Sequence, residues 1–260
     1  MTAAPKTTSV TNGVFASDYM YWVGIDTDLS TASEIDLAEF DEFYTQVHLP
    51  EVLQANPGFV LAARYRLEAP DPRGDFGPMW LAVYGIADTA GAEGYLARAN
   101  DPAALRPAFT RGPAVWSGMS ARWRILWRQV FSQGGRSAAP DTIMLIGMDP
   151  PQDSTPQDLV DFNEFYSHTH IPEVLGGGPF VAATRFERLE AFLHKQPDGC
   201  PRFCAVYEGS GEATPPPRQA GPPPPMAEGP SSWERRETTW RLRYRRVSEL
   251  VSVPDPDQQA

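Results

Sequence analysis

Phe40-Asp-Glu-Phe-Tyr-Thr-Gln-Val-His-Leu-Pro-Glu-Val-Leu53 recurs 122 residues further along as Phe162-Asn-Glu-Phe-Tyr-Ser-His-Thr-His-Ile-Pro-Glu-Val-Leu175. The correspondence extends outward from this stretch. Upstream, Val23-Gly-Ile-Asp26 matches Ile146-Gly-Met-Asp149. Downstream, Phe59-Val60 with Arg64 matches Phe180-Val181 with Arg185, and Ala82-Val-Tyr84 matches Ala205-Val-Tyr207. Gly112-Pro113, Trp116, Trp123-Arg124 and Arg128 fall on Gly229-Pro230, Trp233, Trp240-Arg241 and Arg245. The offset stays between 117 and 123. Two copies of so long a unit mark a domain duplication and not a solenoid. The units run over 19–131 and 141–248, between tails at 1–18 and 249–260.

Each copy reads as strand, helix, strand, strand, helix, strand. Short apolar runs at Tyr19 to Ile25 and Thr142 to Met148 suit buried strands. Ser33 with Asp36, and Thr155 with Asp158, are capping signals three residues apart, and Pro156 is placed for a first helical turn. Helices are therefore expected to start there and to end or kink at Pro50 and Pro172, where a proline ring opposes the carbonyl four residues back. Further strands are expected at Phe59 to Glu68, Pro78 to Ile86 and Ala121 to Phe131, and at Phe180 to Glu190, Arg202 to Glu208 and Thr239 to Ser248. Thr89 to Ala99 reads as a second helix in the first unit. Its place in the second unit is taken by a proline-rich insertion, 212–230, which cannot be helical.

This order predicts an α+β fold: two tandem ferredoxin-like βαββαβ units, packed sheet to sheet as an intramolecular barrel. The helix ending in Phe-Tyr-x-x-x-His-[Leu/Ile]-Pro-Glu-Val, followed by a Pro-Gly-Phe or Gly-Pro-Phe strand entry, resembles the dimeric α+β barrel superfamily, particularly its EthD-like branch. The resemblance covers nearly the whole chain, twice. It implies the barrel, but it does not select a chemistry, because such folds carry dehydratases, isomerases, cofactor-free monooxygenases, haem-handling proteins and members without known activity.

Two constellations could carry chemistry. Tyr44, His48 and Glu51, repeated as Tyr166, His170 and Glu173, are spaced to share a helix face. An imidazole there suits proton transfer, with a carboxylate to orient it and a phenol to donate to developing oxygen charge. The alternative is that the histidine caps the helix end. The second set is arginine: Arg64 and Arg185 on the second strands, and Arg124, Arg128, Arg241, Arg243 and Arg245 on the last. If the alternating aromatic residues of those last strands pack under the helices, the arginines point between the sheets, where they would bind a carboxylate or enolate. Pairing with acids such as Glu187 and Glu208 is the competing reading. His168 and His194 are expected on the surface. A metal site from His48, Glu51, His170 and Glu173 lacks tight ligand spacing, so no metal is expected.

Composition sets further bounds. The 260 residues carry 22 Lys and Arg against 33 Asp and Glu, a formal charge of −11 that disfavours nucleic acid and anionic membranes as partners. Cys200 and Cys204 are too few for a disulfide framework, and Cys204 reads as a small core residue. There is no nucleotide-binding glycine loop, nucleophile elbow, signal-like apolar segment or transmembrane-length run. The expectation is a cytoplasmic, cofactor-independent lyase or isomerase acting on a small aromatic or polyketide-like carbonyl compound. It would be a monomer with an internal pseudo-dimer, or a homodimer. The alternatives are a non-catalytic ligand-binding or assembly protein and a haem-binding protein.

Overall fold

All eight expected strands form in the computed structural model, which describes residues 13–28, 32–69, 71, 73–74, 77–135, 137–195, 199–209 and 226–253. In chain order the elements are β1 (Tyr19–Asp26), α1 (Glu34–Phe43), a π-helical turn (Tyr44–His48), α2 (Leu49–Ala55), β2 (Phe59–Ala69), β3 (Trp80–Ile86), α3 (Thr89–Asn100), α4 (Ala114–Ser117) and β4 (Ser120–Gly134). Then follow β5 (Thr142–Asp149), α5 (Pro156–Phe165), a second π-helical turn (Tyr166–His170), α6 (Ile171–Gly177), β6 (Phe180–His194), β7 (Phe203–Gly209), α7 (Ser231–Glu234), β8 (Glu237–Arg246) and β9 (Val251–Ser252).

The strands pair in the order β3-β1-β4-β6-β7-β5-β8-β2, and β2 pairs back onto β3, so eight antiparallel strands close into a barrel. Within each half the order is fourth, first, third, second. The halves join edge to edge at two seams, β4 with β6 and β2 with β8. The repeated sequence features have repeated local causes. Both capping boxes form, with Ser33 and Thr155 accepting from the Asp36 and Asp158 amides and each aspartate accepting in return. Gly24 and Gly147 sit where each first strand shifts register. A Cβ at Gly24 would strike Pro78 and Trp123, and one at Gly147 would strike Pro201 and Trp240, so the glycine lets the tryptophan lie flat on the sheet. Asp26 and Asp149 then accept the Met79 and Arg202 amides at 2.7 and 2.6 Å.

Closure leaves one interior with no solvent face, and large rings fill it. Trp22, Tyr65, Trp123, Trp127, Phe186 and Trp240 all belong to this core. Trp123 and Trp240 occupy equivalent places in the two copies and stack on each other at 4.2 Å and 12°. On the outer face, α1–α3 cover one aromatic cluster around Phe40, Tyr44 and Tyr84, and α5–α7 cover another around Phe162, Tyr166 and Tyr207.

Four expectations need correction here. The halves join edge to edge in one closed sheet and are not packed sheet to sheet. The alternating aromatics of β4 and β8 face the barrel interior, not the helices, so the arginines beside them point outward. The chain ends are less tail-like than expected: Val14 and Phe15 are fully buried in the interior core, and β9 pairs with β2 beyond the end of β8. Finally, His194 is not a surface residue; it lies half-buried, stacked 5.9 Å from Trp123 and 5.8 Å from Trp240. Most of the proline-rich insertion lies outside the described residues. Trp233, which follows it in α7, packs on Phe162, Phe165 and Tyr166.

Two outcomes follow. Expressed alone, 13–137 leaves the edges of β2 and β4 unpaired, and such edges aggregate or find a partner. The fragment is expected to be insoluble or to associate with 138–253; a soluble, monomeric fragment in sedimentation would contradict the shared barrel. Trp240→Ala removes a ring from the interior stack and should cost about 3–5 kcal/mol in urea denaturation.

Candidate functional site

The conserved pattern of the two copies, Tyr-x-x-x-His-x-Pro-Glu, lies on a helix that does not break. The Leu49 amide donates to the Tyr44 carbonyl and the Ile171 amide to the Tyr166 carbonyl, five residues back. This wide turn comes immediately before Pro50 and Pro172, which stand in the first turn of α2 and α6. A proline ring opposes the carbonyl four residues back and supplies no amide. The π turn accommodates both defects, so the expected break is replaced by a bulge, a feature frequent at functional sites.

The spacing expectation is met for two of its three groups. The rings of Tyr44 and His48 lie 4.8 Å apart, and those of Tyr166 and His170 lie 5.5 Å apart. The glutamates do not orient the imidazoles through hydrogen bonds. Glu51 accepts from the Thr110 amide at 3.0 Å and from its hydroxyl, and Glu173 accepts from the Ala227 amide at 3.0 Å. Each carboxylate thus ties down the loop that carries the short helix α4 or α7. Those helices place Trp116 4.5 Å from His48 and Trp233 4.6 Å from His170. Nor do the histidines cap the helix end, because the helix runs on through them. Burial among rings holds both His48 and His170 down at about 4, with the nearby glutamates opposing the shift. Both are neutral at pH 7.

Arg64 and Arg185 lie beneath these helices, each 1% exposed. The guanidinium carbon of Arg64 sits 4.1 Å from the Tyr44 ring, and that of Arg185 sits 4.2 Å from the Tyr166 ring. Tyr84 and Tyr207 complete phenol pairs with Tyr44 and Tyr166, and burial pushes all four phenols up, Tyr166 to about 12. The pairing was not anticipated, although Tyr84 and Tyr207 are themselves a repeated position. The other arginines do not join this site or the interior. Arg124 donates to the Tyr21 hydroxyl at 2.8 Å. Arg128 pairs with Glu187 at 2.7 Å, Arg243 with Glu68 at 2.6 Å and Arg245 with Glu68 at 2.5 Å, and Arg241 is exposed.

The copies differ at the places that decide access and charge. In the first, Phe109 lies 5.0 Å from His48, which is 8% exposed. The aligned residue in the second is Met226, an exposed side chain, and His170 is only half-buried. Thr110 becomes Ala227, and without that hydroxyl the buried Glu173 Oε2 has no hydrogen-bond partner among the described residues. Asp41, which pairs with Arg64 at 2.9 Å, becomes Asn163. Arg185 is therefore held by neutral acceptors, Ser167 Oγ at 2.6 Å, Asn163 Oδ1 at 2.7 Å and the Asn163 carbonyl at 3.2 Å. Met119 becomes Arg236, whose guanidinium carbon lies 4.0 Å from the Trp233 ring. His168, in the place of Gln46, is exposed as expected and lies 3.6 Å from Glu164.

Among the described residues no three His, Cys, Asp or Glu side chains gather as a metal site. Haem ligation requires an imidazole nitrogen facing a slot as wide as the macrocycle. His48 is instead ringed by Tyr44, Phe109 and Trp116, and His194 stacks on two tryptophans, so neither fits that role. Clefts among the described residues include the following. One of about 470 Å³ is lined by Asp149, Ser154, Cys200, Arg202, Arg235 and Glu237, and one of about 560 Å³ by Asp41, Thr45, Arg246 and Glu249. No described helix is long and apolar enough to cross a membrane.

No family model and no curated protein sequence matches the chain. Solved structures to which the chain is similar include the chlorite-dismutase-like protein TA0507, 14% identical over 88% of this chain and 93% of that one, with a TM-score of 0.46. A double mutant of the chlorite dismutase of Candidatus Nitrospira defluvii is 9% identical over 74% of this chain and 77% of that one, with a TM-score of 0.41. A monooxygenase-like protein of Lactobacillus acidophilus NCFM is 9% identical over 91% and 97%, with a TM-score of 0.39.

The buried imidazoles set a pH dependence. His48, His170 and His194 are each held at about 4 when folded, against an ordinary value of about 6.5. Between those values the unfolded chain binds more protons, so stability rises with pH through this window and falls as pH drops from about 6.5 to 4. The melting temperature should follow that trend, and His48→Phe should flatten it. An unchanged slope in the variant would contradict the burial of a neutral His48.

Proposed function

We propose that the chain is a duplicated α+β barrel of the dimeric, EthD-like kind, with ferredoxin-like units at 19–131 and 141–248. In this reading it binds a small carbonyl compound and acts on it as a lyase or isomerase without a cofactor. The duplication is supported by the common strand order, the paired capping boxes and the two equivalent glycine–tryptophan contacts.

The site is the second copy, and one observation carries that choice: His48 is 8% exposed with Phe109 packed 5.0 Å from it, whereas His170 is only half-buried. His170 is neutral at pH 7 and takes the proton from the substrate. Tyr166, kept protonated by burial and 0% exposed, supports His170 from beneath, its ring 5.5 Å from the imidazole and stacked on Arg185. The desolvation and the two guanidiniums that hold His170 near 4 make it a weak base in the free protein. A bound anion would offset those guanidiniums and raise the imidazole toward the range where a general base works best. The first copy fits the non-catalytic reading, with His48 sealed among rings and both oxygens of Glu51 engaged by Thr110.

The compound to assay is the one that remains bound through purification, released by denaturation and identified by mass spectrometry. His170→Ala should lower its turnover by ~10²-fold, the range for loss of a general base, with the melting temperature nearly unchanged. His48→Ala should instead lower the melting temperature and leave turnover intact. Equal effects of the two substitutions on turnover would overturn the assignment to the second copy.

A further inference from the structure

The two copies provide an internal comparison in which one backbone arrangement carries two different sets of charges. In the first, the groups under the helix and beside its histidine are Arg64, paired with Asp41, and Glu51, tied to Thr110. In the second, Asn163 replaces the aspartate and Arg236 replaces Met119, so Arg185 has lost its ion-pair partner and a second guanidinium stands near Glu173. These two substitutions add two positive charges, and Glu234, which stands where the first copy has Ser117, returns one negative charge at the rim. The nearest other carboxylate acting on Arg185 is Glu187, already bound to Arg128 and Arg202. Glu234, beside Arg236, is exposed at the rim and accepts the Gly229 amide.

We infer that the second copy binds a ligand carrying a carboxylate or an equivalent oxyanion, an inference that rests on the assignment of the site to that copy. Arg236 and the half-buried His170 both contact the Trp233 ring and are the groups that reach the anion. Arg185 acts from behind Tyr166, supplying positive field across the ring it stacks on. Both guanidiniums retain hydrogen-bonding capacity, since Arg185 Nε and Arg236 Nε are buried and have no partner among the described residues. A buried cation without a counter-ion costs several kcal/mol unless a charge of opposite sign completes it. An anionic ligand supplies that charge, and charge-assisted bonds to guanidinium supply the specificity.

Benzoate and its neutral isostere benzamide test this on the full chain, by calorimetric titration and by the side-chain NMR signals of His170. Benzoate should bind and shift the His170 signals, with benzamide at least about tenfold weaker, as expected for loss of a charge-assisted pair. Asn163→Asp restores the first copy's ion pair and should weaken benzoate at least about tenfold without lowering the melting temperature. Arg236→Met, the first copy's residue, should weaken it similarly. If the two probes bind equally and both perturb His170, the site stands and the anion inference falls. If neither perturbs His170, both fall. Benzoate binding that survives both substitutions would also overturn the inference.

Discussion

The pairing of β4 with β6 and of β2 with β8 makes the two halves one structure. With these seams closed, the sheet has no open lateral edge in the barrel and encloses a space that must be filled by side chains, since an eight-stranded barrel is just wide enough for them. The filling is done by large rings, and the stacked pair Trp123 and Trp240 shows how closely the copies mirror each other. The guanidiniums of β4 and β8 are kept out of this space: they turn to the outer face, where most find carboxylates or phenols.

The barrel was legible in the sequence because its cause was written twice. Duplicate glycine, aspartate, proline and tryptophan positions each have a contact that needs that residue, so the repeat reported the strand order as well as the length of the unit. The direction of β4 and β8 was misread for a physical reason. In β1 and β3 nearly every residue is buried on both faces, so alternation alone does not say which face is the interior. The deciding fact is closure: a space sealed from water takes tryptophan and rejects guanidinium. At Pro50 and Pro172 an end or a kink was expected, and the helix instead continues through a widened turn that absorbs the proline.

The site was half legible. The spacing of tyrosine and histidine was read correctly, and the glutamate was misassigned because its partner, the loop at Thr110 or Ala227, is distant in sequence. The informative residues were those at which the copies disagree. Phe109 against Met226, Thr110 against Ala227, Met119 against Arg236 and Asp41 against Asn163 can all be aligned from the repeat itself. What the sequence withheld was that these four differences surround one histidine.

The proposed duplication gives these differences their meaning. The first copy keeps the arrangement that favours stability: a paired arginine, a fully engaged glutamate and a histidine closed off by aromatic rings. If the second copy served only to complete the barrel, the same arrangement would serve it equally well, and retaining Arg185 after losing the aspartate would only add the penalty of an uncompensated buried cation. Arg185 is nevertheless retained, satisfied by neutral acceptors and a phenol face, and a second cation stands nearby on Trp233. A copy that exchanges compensated charge for positive field and cover for access has features of a binding site. The cost can be carried because the seams and the tryptophan core, common to both halves, hold the barrel together independently of this corner.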